Sequence, residues 1–171
     1  MNTINEIIKK LELLPHPEGG YYREYYRSEG TIDQQSLGTP YNGKRNYATS
    51  IYFLLTSDTF LAFHRIKQDE LWHFYRGAPI TIHSISDSGI YDKVTLSMAI
   101  ENGEYPQYVV KGGHWFAAEV TQPDSYALVG CTVAPGFDFA DFELPTQTVL
   151  LEKFPQHQAI ISRLGLKETC D

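Results

Sequence analysis

The chain has 171 residues, 42% of them hydrophobic and 20% charged, with a net charge of −7. That length fits one domain, residues 1–171, with a buried core, and the composition argues against a disordered or membrane-spanning chain. The acidic balance, unrelieved by any basic run, argues against a nucleic-acid surface, which needs a basic stripe.

Ile4, Ile7, Ile8, Leu11 and Leu14 recur at helical spacing and predict an N-terminal helix ended by Pro15 and Pro17. This start lacks the basic end, apolar block and small-residue cleavage site of a signal peptide, so a cytoplasmic protein is expected. No stretch approaches the ~20 apolar residues needed to cross a bilayer, so no membrane partner is expected either. Cys131 and Cys170 have no metal-type or redox-type spacing. Cys131, in an apolar stretch, reads as a buried small hydrophobe, and Cys170 falls in a polar tail.

Pro17-Glu18-Gly19-Gly20 predicts a glycine-dependent turn into the strand YYREYYR. Strand alternation puts Arg23 and Arg27 on one face with Tyr21 and Tyr25. Such a face could grip an anion, but an edge strand or interface guarded by charge is the expected reading. From Ser28 to Asn46 the chain is polar and predicts a long loop or poorly ordered excursion, of the kind that often forms a lid.

Eight short β-rich runs follow: ATSIYFLL, TFLAFHRI, ELWHFYR, ITIHSIS, KVTLSMAI, PQYVVK, HWFAAEV and SYALVGCTV. Turn residues such as Gly77-Ala78-Pro79 and Asp87-Ser88-Gly89 separate them, with no helix between. That pattern predicts an all-β antiparallel sandwich or barrel over about residues 20–140, not a βαβ fold. Helical spacing returns over about residues 145–165, where Ala159, Ile160, Ile161 and Leu164 form an apolar face and Gly165 a cap.

The stretch from His64 to Gly77 carries the chemistry. Read as a hairpin of two strands, Phe60, Ala62, His64 and Ile66 share one face, and Glu70, Trp72 and Phe74 share a face of the second strand. If both faces point inward, a histidine and a carboxylate meet in an aromatic cavity. A buried glutamate needs a partner or a raised pKa.

This stretch resembles the first motif of the cupin superfamily: Gly, five residues, His-x-His, three or four residues, Glu, six residues, Gly. His64, Glu70 and Gly77 match at the right spacings, while Asp58 stands for the opening glycine and Ile66 for the second histidine. In the second motif Gly113 matches and Phe116 stands at the histidine position. The ordered pieces HPEGGYYRE, SIYFLL, FHRIKQDELWHFYRG, WFAAEV and LVGCTVAPGFDFADFELP resemble one subgroup of small single-domain cupins, Cupin family 5, a domain of unknown function. The resemblance implies a double-stranded β-helix (jelly-roll barrel) flanked by N- and C-terminal helices, and a homodimer. It implies no particular reaction.

Metal-binding cupins use three histidines and a glutamate, of which this chain keeps His64 and Glu70. A divalent transition metal usually wants at least three protein ligands. Alternation from His114 would bring that residue in beside Phe116 as a third, while His73 has the wrong parity. The plainer expectation is that His64 and Glu70 hydrogen-bond each other. Without metal, such a pair can also move protons, as the resemblance to cupin-type sugar-nucleotide epimerases implies. Trp72, Phe74, His114 and Phe116 would then shape the pocket. His16, His83 and His157 read as structural or solvent-facing, and Phe137-Asp138-Phe139 as a wall with Asp138 near the pocket mouth. The leading expectation is a small-molecule cupin, of sugar or sugar-nucleotide epimerase or isomerase type, with His64 and Glu70 as acid–base pair. The alternatives are a non-catalytic binding module with a decayed metal site, and a metal-dependent oxygenase. The sequence offers no Gly-x-Ser-x-Gly elbow, phosphate-cradling loop or Cys-x-x-Cys.

Overall fold

The computed structural model describes residues 3–17 and 19–168; Glu18 and Cys170, named above, lie outside it. Helix α1 (Thr3–Leu11) leads into β1 (Leu14–Pro15) and β2 (Tyr21–Arg27). The helix ends before the prolines, because Glu12 adopts a left-handed φ of 53° and Leu14-Pro15 pairs with Tyr22-Tyr21. Leu14 is accordingly exposed and not part of the helical apolar face.

The polar stretch 28–46 is ordered, contrary to the expectation of a loose excursion. It contains β3 (Thr31–Ile32), α2 (Gln34–Leu37) and β4 (Arg45–Asn46), with β3 and β4 paired. Buried Arg45 anchors it through a two-pronged ion pair with Asp141 at 2.6 and 2.7 Å.

The barrel strands are β5 (Thr49–Thr56), β6 (Phe60–His64), β7 (Glu70–Gly77), β8 (Ile80–Ile85), β9 (Tyr91–Leu96), β10 (Gln107–Val110), β11 (Trp115–Glu119) and β12 (Tyr126–Val133). They match the eight predicted runs. A six-stranded sheet, β1-β2-β5-β12-β7-β10, faces a four-stranded sheet, β6-β11-β8-β9. Alternation explains the two cores. Phe53, Trp72, Ile80, Ile82, Phe116 and Val129 point between the sheets. Phe63, Ile85, Trp115 and Ala117 point outward from the smaller sheet. Helices α3 (Gln147–Lys153) and α4 (Gln158–Leu164) cover that outer face with Leu150, Ile161 and Leu164. Gly165 caps α4 through its N–H to the Ile161 carbonyl, with an extended φ of −86°, and a side chain there would collide with Gln147 and the Ile161 carbonyl. Among the described residues no helix is long and apolar enough to cross a membrane.

The Gly19-Gly20 turn folds the chain back over the barrel, with φ of +112° and +74°. A Cβ on Gly19 would stand 2.1 Å from the Phe60 carbonyl oxygen, so only glycine fits. Gly19→Ala is expected to cost about 1–3 kcal/mol, measured by urea unfolding, because strain and collision add. A variant as stable as the parent would show that the turn relaxes freely.

Candidate functional site

One end of the space between the sheets is a cavity of about 510 Å³. The register of the larger sheet sets its wall in rows. Arg27, Thr49, Val133 and Glu70 lie side by side across β2, β5, β12 and β7, and Glu24, Ile51, Cys131 and Trp72 form the next row. The smaller sheet contributes Leu61 and His64, and the chain leaving β6 contributes Ile66.

Irregularities decide which side chains arrive there. β6 and β7 are not hairpin partners; they belong to different sheets, so His64 and Glu70 come to the cavity from opposite walls. A register shift between β6 and β11 breaks strict alternation, so Leu61 joins His64 and Ile66 on the cavity wall while Phe60 packs outward toward the helices. A second shift, between Glu24 and Tyr26, turns Arg27 off the Arg23 face and into the cavity beside Tyr22 and Glu24. Arg23 instead bonds Glu12 and the Leu11 carbonyl.

Of the residues singled out in the sequence, His64, Glu70 and Trp72 line the cavity. Phe74 packs in the core beyond them, and buried Phe116 sets its ring 4.0 Å from that of His64, tilted by 57°. His114 does not line it. β11 begins one residue later, and the turn through Gly113, φ +80°, takes His114 out of the strand's alternation. His83 lies outside the cavity, between Tyr91 and Glu119, and His157 bonds the Gly89 carbonyl.

His16, expected to be structural or solvent-facing, lines the cavity, edge-on to Tyr22 at 4.5 Å and Phe53 at 5.9 Å. Its place follows from the Gly19-Gly20 turn, a tertiary effect with no local signature. Cys131 is buried as expected, and its thiol also faces Glu70. Phe137, Phe139 and Phe142 stack edge-on at 5.0–6.2 Å and form the mouth, with Asp138 among them. Their loop is held by Asp141, whose buried carboxylate receives Arg45, Gln68 and Lys67. No residue of segment 28–46 lines the cavity, and the segment is tied to the mouth loop through the Arg45–Asp141 pair.

The electrostatics separate the two principal groups. Burial pushes the Glu70 carboxyl up to about 7, against the opposing pull of the Cys131 thiol and the Trp72 indole. Trp72 Nε1 itself is buried outside hydrogen-bonding geometry. Burial lowers His64 to about 3 and His16 to about 4. The His64 Nδ1–H donates to the Ala62 carbonyl at 2.8 Å, which leaves the lone pair on Nε2. The described hydrogen bonds do not join His64 to Glu70. Near neutrality the site therefore holds a neutral imidazole and a carboxyl on the edge of ionisation, and of the two it is the carboxyl that is poised to transfer a proton.

A metal fits poorly. Of the four positions that bind metal in cupins, Ile66 and Phe116 carry hydrocarbon. Among the described residues no three of His, Cys, Asp or Glu cluster to hold an ion.

Residues 5–145 match the family described as "Cupin superfamily (DUF985)". The chain belongs to that cupin family. It is 30% identical over 152 residues to the uncharacterized protein YML079W of Saccharomyces cerevisiae, covering 82% of this chain and 74% of the yeast protein. Among solved structures it is similar to protein SO0799 from Shewanella oneidensis, with 42% identity, a TM-score of 0.86, and coverage of 96% of this chain and 98% of the other. A hypothetical protein from Leishmania major gives 36% identity, a TM-score of 0.86, and coverage of 95% and 98%. The Bacillus subtilis oxalate decarboxylase OxdC shares the fold alone, at 14% identity and a TM-score of 0.52, over 91% of this chain and 38% of the decarboxylase.

Proposed function

We propose that this cupin binds a small oxygenated molecule between its sheets and moves a proton on it, as an isomerase or epimerase does. The observation that supports this best is the arrival of His64 and Glu70 from opposite walls of one cavity, buried and in complementary protonation states. A general acid with a pKa near working pH transfers protons most effectively. Glu70 would give or take the proton on one side of the substrate, and neutral His64 would orient the substrate from the other. Trp72, Phe53 and Tyr22 would hold the body of the substrate and exclude water.

Incubation with a panel of aldehydes and ketones, cyclic and open-chain, with and without a neighbouring hydroxyl, in D₂O reads this directly as deuterium incorporation beside the carbonyl. Glu70→Gln and His64→Ala are each expected to slow incorporation by about 10²–10⁴-fold, the usual weight of a positioned acid or base. Wild-type rates in both variants would remove the pair from the chemistry.

A non-catalytic binding module is the second reading, favoured by Ile66 and Phe116 filling two of the former ligand positions. A compound that co-purifies unaltered, seen by native mass spectrometry, together with no exchange on any panel member, would establish it. The cytoplasm is the compartment proposed, on the character of the N-terminal segment. A homodimer is the assembly proposed, on the family resemblance, and light scattering reads it.

A further inference from the structure

We infer that the cavity takes an uncharged ring compound with a single oxygen function, and turns away anions such as phosphates and carboxylates. This rests on the barrel cavity being the ligand site, and names the class of molecule that enters it.

Charge argues first. Arg27 is the one Lys or Arg among the described residues of the lining, and its guanidinium is already engaged. Its Nε and Nη2 donate to the two carboxylate oxygens of Glu24, each at 2.8 Å. Nη1 donates to Asn46 Oδ1 at 2.9 Å, and Nη2 also to the Phe137 carbonyl at 3.1 Å. An anion would have to displace the Glu24 carboxylate to gain that charge, from a pair whose two side chains are each 38% exposed. Glu24 and Asp138 also line the cavity, so among the described residues the ionised carboxylates outnumber the cation two to one before Glu70 is counted. Three strand spacings, ~14 Å, separate the Arg27 strand from the Glu70 strand, so an anion seated at Glu70 is beyond the reach of Arg27.

The walls argue second. The Phe137, Phe139 and Phe142 rings at the mouth, with Tyr22 and Trp72 deeper in, present flat apolar surfaces suited to a ring. A volume of about 510 Å³ lies in the range of small-molecule pockets. Most of the accessible wall is hydrocarbon, and a polyol would leave the hydroxyls that face it unsatisfied at a cost of kilocalories each. Glu70, which burial keeps largely protonated below about pH 7, offers an O–H to one ligand oxygen. A sugar nucleotide, with its diphosphate, falls outside this class.

Titration calorimetry on the full chain at pH 6, where Glu70 keeps its proton, tests the inference with four probes: benzamide, benzoate, inorganic phosphate and glucose. Benzamide is expected to bind saturably and at least about tenfold more tightly than the other three, since a buried unpaired charge or bare hydroxyl costs at least that much. Phe139→Ala, an exposed mouth residue, should weaken benzamide several-fold. Glu24→Gln should raise benzoate affinity by releasing Arg27. Equal or tighter binding of benzoate, phosphate or glucose by the wild-type chain overturns the inference. So does the absence of saturable benzamide binding, or its indifference to Phe139→Ala. These are binding measurements, so a benzamide preference without deuterium exchange on any carbonyl compound would sink the proton-transfer reading and leave this one standing.

Discussion

Asp141→Ala is expected to lower the unfolding free energy by about 3–5 kcal/mol, the cost of stripping one partner from a buried ion pair. At roughly 2–4 °C per kcal/mol for a chain of this size, the melting temperature should fall by about 10 °C. The Asp141 side chain is 0% exposed, and it accepts Arg45 at 2.6 and 2.7 Å, Gln68 at 2.7 Å and Lys67 at 3.2 Å. Without it Arg45, 3% exposed, keeps its charge with only backbone carbonyls and the Tyr41 ring, 5.8 Å away, for company. Burial alone would push the Asp141 carboxyl up, but those hydrogen bonds outweigh it and hold it below the ordinary aspartate range. Its contribution is therefore present above the unfolded aspartate value and lost as pH falls through the lowered native one. Calorimetry near pH 7 measures the loss. A change below about 1 kcal/mol would mean the pair only balances its own desolvation. The double variant Arg45→Met, Asp141→Leu should recover much of the stability, because no charge is then stranded.

Glu70→Gln should change the pH dependence of stability, with the sign set by the raised carboxyl. Between the ordinary value of 4.5 and about 7 the native state holds a proton that the unfolded chain has released. Stability from this group therefore falls as pH rises through that window, by about 3 kcal/mol in all. His64 and His16 act the other way: lowered to about 3 and 4, they reduce stability as pH falls below the unfolded value of 6.5. Subtracting the glutamine variant's urea-unfolding profile from the wild-type profile cancels the histidines. The difference should decline from pH 4.5 to 7 and then level. A flat difference would show that Glu70 ionises as freely in the fold as out of it.

Much of the site was legible in one dimension because strand alternation survives wherever the register is regular. Glu70, Trp72 and Phe74 do share the inner face of β7, as their spacing requires. The same rule fails at two register shifts, where one extra residue reverses every later side chain: Phe60 goes outward where Leu61 goes in, and Arg27 leaves the face of Arg23. It fails again at His114, because a turn and not a strand precedes Trp115. Neither kind of break announces itself in composition.

The sequence by itself determined the number and order of the barrel strands, the closing helices, the family, and the presence of a histidine and a glutamate near an aromatic wall. Those follow from local periodicity and motif spacing, which each segment carries within itself. The tertiary structure decided that β6 and β7 face each other from separate sheets, that His16 swings in over the Gly19-Gly20 turn, and that Glu24 occupies Arg27. It also decided that the polar stretch 28–46 is pinned by Arg45 to Asp141, 96 residues away. These depend on contacts between distant segments, whose energies arise only once the sheets have closed on one another.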